Sequence, residues 1–198
     1  MDQCYIRPIV YFGEGGVGVL PKEGHPVEVV IMCVPMGKYL QNEFVDVMVS
    51  KYIRIHPQSS VTDAKISGHY VNSILAAREC EGTHYHETIL LDFNGFVAEG
   101  TAMNIFIVKD NEIITTPPGT ILDGFTRRLI IRIAKDLNFI VREELFKEED
   151  IANADEAFFS GTAAEVTPIR SITDKKLTHH ESAGPISTAI KAKFEEIK

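Results

Sequence analysis

What most constrains this chain is a series of strand-length apolar runs closed by turn residues, set beside a few helical patterns. Residues 86–93 and 96–99 flank Asn94-Gly95, the dipeptide best suited to a tight hairpin turn. Residues 104–108 and 112–116 flank Asp110-Asn111, a second hairpin signal. Residues 9–12, 29–34, 44–55 and 155–160 also read as extended, the third of them ended by His56-Pro57-Gln58-Ser59-Ser60. Over 67–81 Tyr70, Val71, Ile74, Leu75 and Ala77 recur at helical spacing, with Gly82 as the stop. The clearest helix spans 125–137, where Leu129, Ile130, Ile133, Ala134 and Leu137 share one face. A last amphipathic helix over 185–197 carries Ile186, Ala189, Ile190 and Phe194. Hairpins beside helices, instead of strict strand–helix alternation, give an α+β fold.

Composition narrows the function classes. The 198 residues suit one domain, or one domain with a fragment of another. Hydrophobic residues at 44% and charged residues at 24% exclude a disordered or fibrous chain. Twenty Lys+Arg against 28 Asp+Glu leave a net charge of −8, which argues against a nucleic-acid partner that needs clustered positive charge. Cys4, Cys33 and Cys80 are odd in number and far apart, so a reducing compartment is expected in place of a disulfide framework. Apolar runs fall far short of a bilayer span, and MDQCYIRP does not read as a signal peptide. The expectation is a soluble cytoplasmic protein with no membrane partner.

Several local patterns bear on chemistry. Gly13-Glu14-Gly15-Gly16-Val17-Gly18 matches the dinucleotide fingerprint letter for letter but runs into Pro21, Gly24 and Pro26, so no phosphate-holding helix follows it. His84 and His86 would face one side of a strand without an evident third ligand, so no metal site is expected. Leu122-Asp123-Gly124-Phe125-Thr126 leads directly into the best helix. Thr126 there is a plausible N-cap, and the first-turn amides make a seat for phosphate if not simply capped. Ser160-Gly161-Thr162-Ala163-Ala164 is a second cluster of small residues, read as another anion cradle or as a tight turn. Glu99 has apolar neighbours and needs a cationic or hydrogen-bonded partner, an arginine being the plain structural choice. Lys65 stands at a helix entrance, where position alone leaves it unremarkable.

Together these pieces resemble a known family. Asp63-Ala64-Lys65 with Gly68-His69-Tyr70, Val97-Ala98-Glu99-Gly100 with Asn104-Ile105-Phe106, Leu122-Asp123-Gly124-Phe125-Thr126-Arg127, and Ser160-Gly161-Thr162-Ala163-Ala164-Glu165 occur in this order. They are similar to the fold type IV, or class IV, aminotransferases that depend on pyridoxal 5′-phosphate, most closely the branched-chain amino-acid aminotransferases. Tyr5-Ile6-Arg7-Pro8 and the 13–18 loop resemble the branched-chain members specifically. The resemblance implies the large C-terminal domain of that fold, mixed β-sheets in a pseudo-barrel with surrounding helices. It implies a remnant of a small N-terminal domain at 1–36, a linker at 37–43 and the cofactor-binding domain at 44–198.

It also implies roles. Lys65 would bond the cofactor's aldehyde and then move the proton between substrate Cα and the cofactor. Glu99 would face the pyridine nitrogen and Tyr70 the 3′-oxygen. Leu122, Gly124, Phe125 and Thr126, with Thr162, would hold the phosphate. Thr162 and Ala163, with Tyr5, would receive the substrate α-carboxylate. Arg7 would take the distal carboxylate of glutamate, and Tyr39 a branched aliphatic chain. Leucine, isoleucine or valine would then exchange an amino group with 2-oxoglutarate in a homodimer or larger homo-oligomer. Family members carry most of the small domain upstream of the residue matching Met1. The expectation is therefore a complete large-domain cofactor site, impaired activity and uncovered apolar surface that favours self-association. Two rivals within the family are D-amino-acid aminotransferase and aminodeoxychorismate lyase, against which Tyr5-Ile6-Arg7 and the glycine loop speak. A non-catalytic remnant serving as a binding module is the reading from a different class.

Overall fold

The computed structural model describes residues 4–37, 39–40 and 42–197. The chain divides into two compact units, Met1–Tyr39 and Leu40–Lys198, and the division falls inside the stretch expected as linker. The first unit is an antiparallel hairpin of β1 (Cys4–Phe12) and β2 (Val27–Pro35), paired from Cys4↔Pro35 to Phe12↔Val27. The 13–18 loop lies in the connection between them, where the Gly13 amide donates to the Pro26 carbonyl at 2.8 Å. The dinucleotide-like glycines thus join two antiparallel strands and open no helix. Gly15 packs so closely on the His25 ring that a Cβ there would collide with it.

The second unit begins with β3 (Val45–Val49), shorter than the 44–55 run expected from alternation. Ser50 ends the strand, because its hydroxyl accepts the Tyr52 amide at 3.0 Å and turns the backbone. The expected 67–81 helix resolves into α1 (Tyr70–Ala77) between single 3₁₀ turns at Ser67–His69 and Arg78–Cys80. Next come β4 (Glu87–Leu91), β5 (Val97–Gly100), β6 (Asn104–Lys109) and β7 (Glu112–Thr115). After α2 (Phe125–Asp136) follow β8 (Ile140–Glu143), α3 (Glu148–Ala152), β9 (Glu156–Gly161), β10 (Glu165–Ile172), β11 (Lys175–Lys176) and α4 (Pro185–Ile197).

The two hairpin signals behave differently. Asp110 and Asn111 both adopt positive φ, 49° and 65°, as a two-residue turn requires. At Asn94-Gly95 only the glycine does, at 82°. There the Asp92 carboxylate accepts the amides of Asn94 (2.8 Å) and Phe96 (2.9 Å), and a wider loop replaces the tight turn.

The strands form one mixed sheet in the order β5-β4-β3-β10-β9-β6-β7-β8, with β11 beside β10. Laid flat, five strand spacings would put β5 and β6 roughly 24 Å apart. Yet residues 101–103 connect them, and the Gly100 amide bonds the Met103 carbonyl at 2.8 Å. The sheet must therefore curl on itself, as the pseudo-barrel expectation requires. One face buries Val45, Val47, Ile89, Val97, Ile105 and Phe159. The other packs Phe106, Val108, Phe158 and Val166 against Ile130 and Ile133 of α2 and Ile186 and Ile190 of α4. Alternate residues of β6 and β9 thus enter different cores, which is why these strands read as unbroken apolar runs.

Asp46 pins the middle of the sheet. Its carboxylate pairs with Arg170 on neighbouring β10 (Nε 2.9 Å) and accepts the Ser171 hydroxyl at 2.5 Å. The Arg170 hydrogen bond, against an opposing cost of burial, pulls its pKa down to about 2. Among the described residues no helix is long and apolar enough to cross a membrane.

Candidate active site

Lys65 sits in a sharp turn ahead of α1, where the Ile66 amide reaches back to the Ala64 carbonyl at 2.9 Å. Thr62 anchors this turn by donating its hydroxyl to the Gly119 carbonyl at 2.7 Å. Tyr70 opens α1, and Lys65 Nζ donates to its hydroxyl at 2.8 Å. Both line a cavity of about 370 Å³ with Glu99, Leu122, Gly124, Phe125, Thr126 and Thr162. Eight of the expected site residues therefore share one space, formed where the ends of β5, β6 and β9 meet α2 and the Lys65 turn.

Glu99 is the buried acid of this cavity. Its Oε1 accepts Arg54 Nε at 2.5 Å, and its Oε2 accepts Asn104 Nδ2 at 3.1 Å and the Leu122 amide at 3.2 Å. Burial pushes its pKa above the ordinary carboxylate value. The charge and hydrogen bond of Arg54 oppose that rise most, followed by the Leu122 amide and the charge of Lys65. Burial also pushes His69 down, helped by Arg54; its Nε2 lies 2.5 Å from the Ser60 hydroxyl.

The start of α2 corrects one expectation. The N-cap is Gly124, in extended conformation (φ −66°, ψ 143°) with no side-chain cap, and Thr126 is the second helical residue. Thr126 cannot cap a turn that it already belongs to. The first-turn amides consequently have no capping side chain, the first turn itself holds no acidic residue, and its residues Phe125, Thr126 and Arg128 line the cavity, with Asp123 just ahead of the N-cap. A Cβ on Gly124 would lie 2.6 Å from Asn104 Oδ1, so only glycine fits there.

Beneath this end lies Arg127, 1% exposed, bonded to Asp123 (3.0 Å), Glu143 (2.6 Å) and the Thr116 carbonyl (2.8 Å). It is buried on a helix whose expected inner face held only apolar residues. On the opposite wall, β9 ends at Ser160-Gly161, and the 162–164 turn leads into β10 with Glu165 at φ 55°. Thr162 lines the cavity, while Ala163 lies in the same turn outside the lining. Ser160 also lines it, and its buried hydroxyl is without a hydrogen-bond partner among the described residues. Such an orphan on a cavity wall is a place for a polar atom of water or ligand.

The remaining expected residues belong to the first unit. Tyr5 and Arg7 are two apart on β1, with the guanidinium 5.7 Å over the tyrosine ring; Tyr39 ends the unit. His86 accepts the Asp46 amide at 3.0 Å and His84 contacts Asp174 at 3.1 Å. Sequence reading gave no role to Arg54, Asn104 or Arg127. The only local signs of the first two are an arginine set between Ile53 and Ile55 and an asparagine at the start of the 104–108 apolar run.

A lysine, a buried acid and an uncapped helix end thus share one cavity. Residues 1–172 match the amino-transferase class IV family, and the chain belongs to that family. It is 41% identical over 200 residues to the branched-chain-amino-acid aminotransferase of Salmonella typhimurium strain LT2, covering 98% of this chain and 64% of that protein. The crystal structure of the Escherichia coli branched-chain amino acid aminotransferase superposes with a TM-score of 0.94 at 39% identity, over 98% of this chain and 65% of that one. The branched-chain amino acid aminotransferase from Thermobaculum terrenum, solved in its PLP-bound holo form, superposes with a TM-score of 0.90 at 30% identity, over 98% and 64%. The chain thus spans about 64% of the length of the relatives it matches.

Proposed function

We propose that this chain forms the cofactor-binding part of a branched-chain-amino-acid aminotransferase that uses pyridoxal 5′-phosphate and 2-oxoglutarate. The observation that supports it most is the sharing of one cavity by Lys65, Glu99 and the uncapped end of α2. An amine for an aldehyde, an acid for a ring nitrogen and helix amides for a phosphate are the three groups this cofactor needs. When bound, it supplies an electron-withdrawing ring that stabilises charge developing at substrate Cα.

The residues would divide the remaining work. Lys65 Nζ would be the amine that holds the cofactor's aldehyde carbon and, when free, the base for the proton at substrate Cα. Tyr70, whose hydroxyl accepts a hydrogen bond from Lys65 Nζ, would orient that amine and would face the ring's 3′-oxygen. Glu99 is held by Arg54, Asn104 and the Leu122 amide as a fixed partner for the ring nitrogen. Leu122, Gly124, Phe125, Thr126 and Thr162 supply the phosphate seat. For substrate, Thr162 and Ala163 are proposed for the α-carboxylate, and the first unit's Tyr5, Arg7 and Tyr39 keep the substrate roles that the family resemblance implies. Homodimer assembly and a cytoplasmic location belong to the same proposal.

The test is a half-reaction. The chain loaded with cofactor is mixed with leucine, D-alanine or aminodeoxychorismate, and cofactor absorbance is followed. Conversion by leucine alone supports the branched-chain reading. Conversion by D-alanine or aminodeoxychorismate and not by leucine overturns it.

A further inference from the structure

Asn104 is 6% exposed and opens β6, and its side-chain NH₂ spends both hydrogens. One goes to Glu99 Oε2 at 3.1 Å and the other to the Leu122 carbonyl at 2.8 Å. The Leu122 amide in turn donates to the same Glu99 oxygen at 3.2 Å. The Glu99 carboxylate, the Asn104 side-chain amide and the N–H and C=O of Leu122 close a triangle of hydrogen bonds. Leu122 lies two residues before the α2 N-cap, and the free side of the triangle is blocked: a Cβ on Gly124 would lie 2.6 Å from Asn104 Oδ1. A shift of the Glu99 carboxylate therefore displaces the start of α2, and a shift of α2 displaces Glu99.

We infer that Asn104 is a positioning residue that couples the two ends of the cofactor site, so that filling the anion seat at α2 strengthens ring binding at Glu99, and the reverse. The inference rests on the cofactor reading given above. Coupling of this kind is reciprocal and typically worth 5- to 150-fold in affinity. A residue that merely stabilised the fold would lower both affinities and leave their interdependence alone.

The experiment uses the 198-residue chain and two fragments that cannot bond to Lys65: 3-hydroxy-2-methylpyridine for the ring and inorganic phosphate for the anion. Ring affinity is measured by ligand-observed NMR with and without saturating phosphate. The expected result is that phosphate tightens ring binding about tenfold in the unaltered chain. In Asn104→Leu and in Glu99→Gln the gain falls to about twofold or less, the direct Leu122–Glu99 bond accounting for what remains. Gly124→Ala pushes on the same triangle from its other side and asks the same question if Asn104→Leu does not fold. An equal phosphate effect in the unaltered and altered chains overturns the coupling while leaving the cofactor reading in place. Failure of the unaltered chain to bind either fragment, or pyridoxal phosphate itself, overturns both.

Discussion

Replacing Arg54 with methionine tests how the buried acid is maintained. The side chains of Arg54 and Glu99 are 9% and 8% exposed, and their ion pair measures 2.5 Å. Removing one partner of such a pair costs about 3–5 kcal/mol, because a buried charge is stranded. At an effective dielectric of about 20, unit charges roughly 4 Å apart interact by about 4 kcal/mol, which agrees. Glu99 keeps its bonds from Asn104 and Leu122, so the lower end, about 3 kcal/mol, is expected. Deleting both charges, as Arg54→Met with Glu99→Leu, costs less than Arg54→Met alone.

The deficit also has a pH sign. The folded pKa of Glu99 is already raised by burial, so its favourable share is complete below the unfolded value and is lost as pH rises through the folded one. Without Arg54 the folded pKa climbs further. The deficit is then smaller at about pH 4, below the unfolded value, than at about pH 7. Urea denaturation of the three chains at both pH values provides the measurement. A single-variant cost below about 1 kcal/mol, or a double variant less stable than the single, refutes the reasoning.

Asp46→Asn removes a carboxylate whose pKa falls from 3.8 to about 2 on folding. With each pKa unit worth about 1.4 kcal/mol and Arg170 partly open to screening, a loss of about 1–2 kcal/mol at neutral pH is expected. That stability is present above pH 3.8 and disappears as pH falls through about 2, so acid-unfolding curves of parent and variant converge there. Gly124→Ala forces a Cβ against Asn104; overpacking of about 1–3 kcal/mol corresponds to roughly 5- to 150-fold weaker pyridoxal-phosphate binding, measured by fluorescence titration. Arg7→Ala should raise KM for glutamate by roughly tenfold or more, as loss of a charge-assisted bond does, and leave leucine nearly unchanged in steady-state assays.

Features set by neighbouring residues were the legible ones. Asp110-Asn111 formed its turn because both residues tolerate positive φ, and α2 followed from the spacing of Ile130, Ile133 and Ala134. Asn94-Gly95 looked equally local, yet Asp92 intervened with its carboxylate and widened the loop. Arg127 falls on the Ile130 and Ala134 side of α2, and its burial depends on Thr116 and Glu143, at the ends of β7 and β8, which meet its charge. Arg54 and Glu99 are 45 residues apart, and only the β3-β4-β5 order brings them together. Glu99 announced its need for a cationic or hydrogen-bonded partner by its apolar neighbours, but nothing local named which one. The need was legible; the partner was topological.

The central claim is that Lys65 is the amine that meets the cofactor. Chain mixed with pyridoxal phosphate, reduced with borohydride, digested and mapped by mass spectrometry answers it directly. The account predicts one phosphopyridoxyl group per chain on the peptide carrying Lys65, absent from a Lys65→Ala chain with unchanged circular dichroism. Label scattered over surface lysines such as Lys22 and Lys51, with Lys65 no more modified than they are, would contradict it.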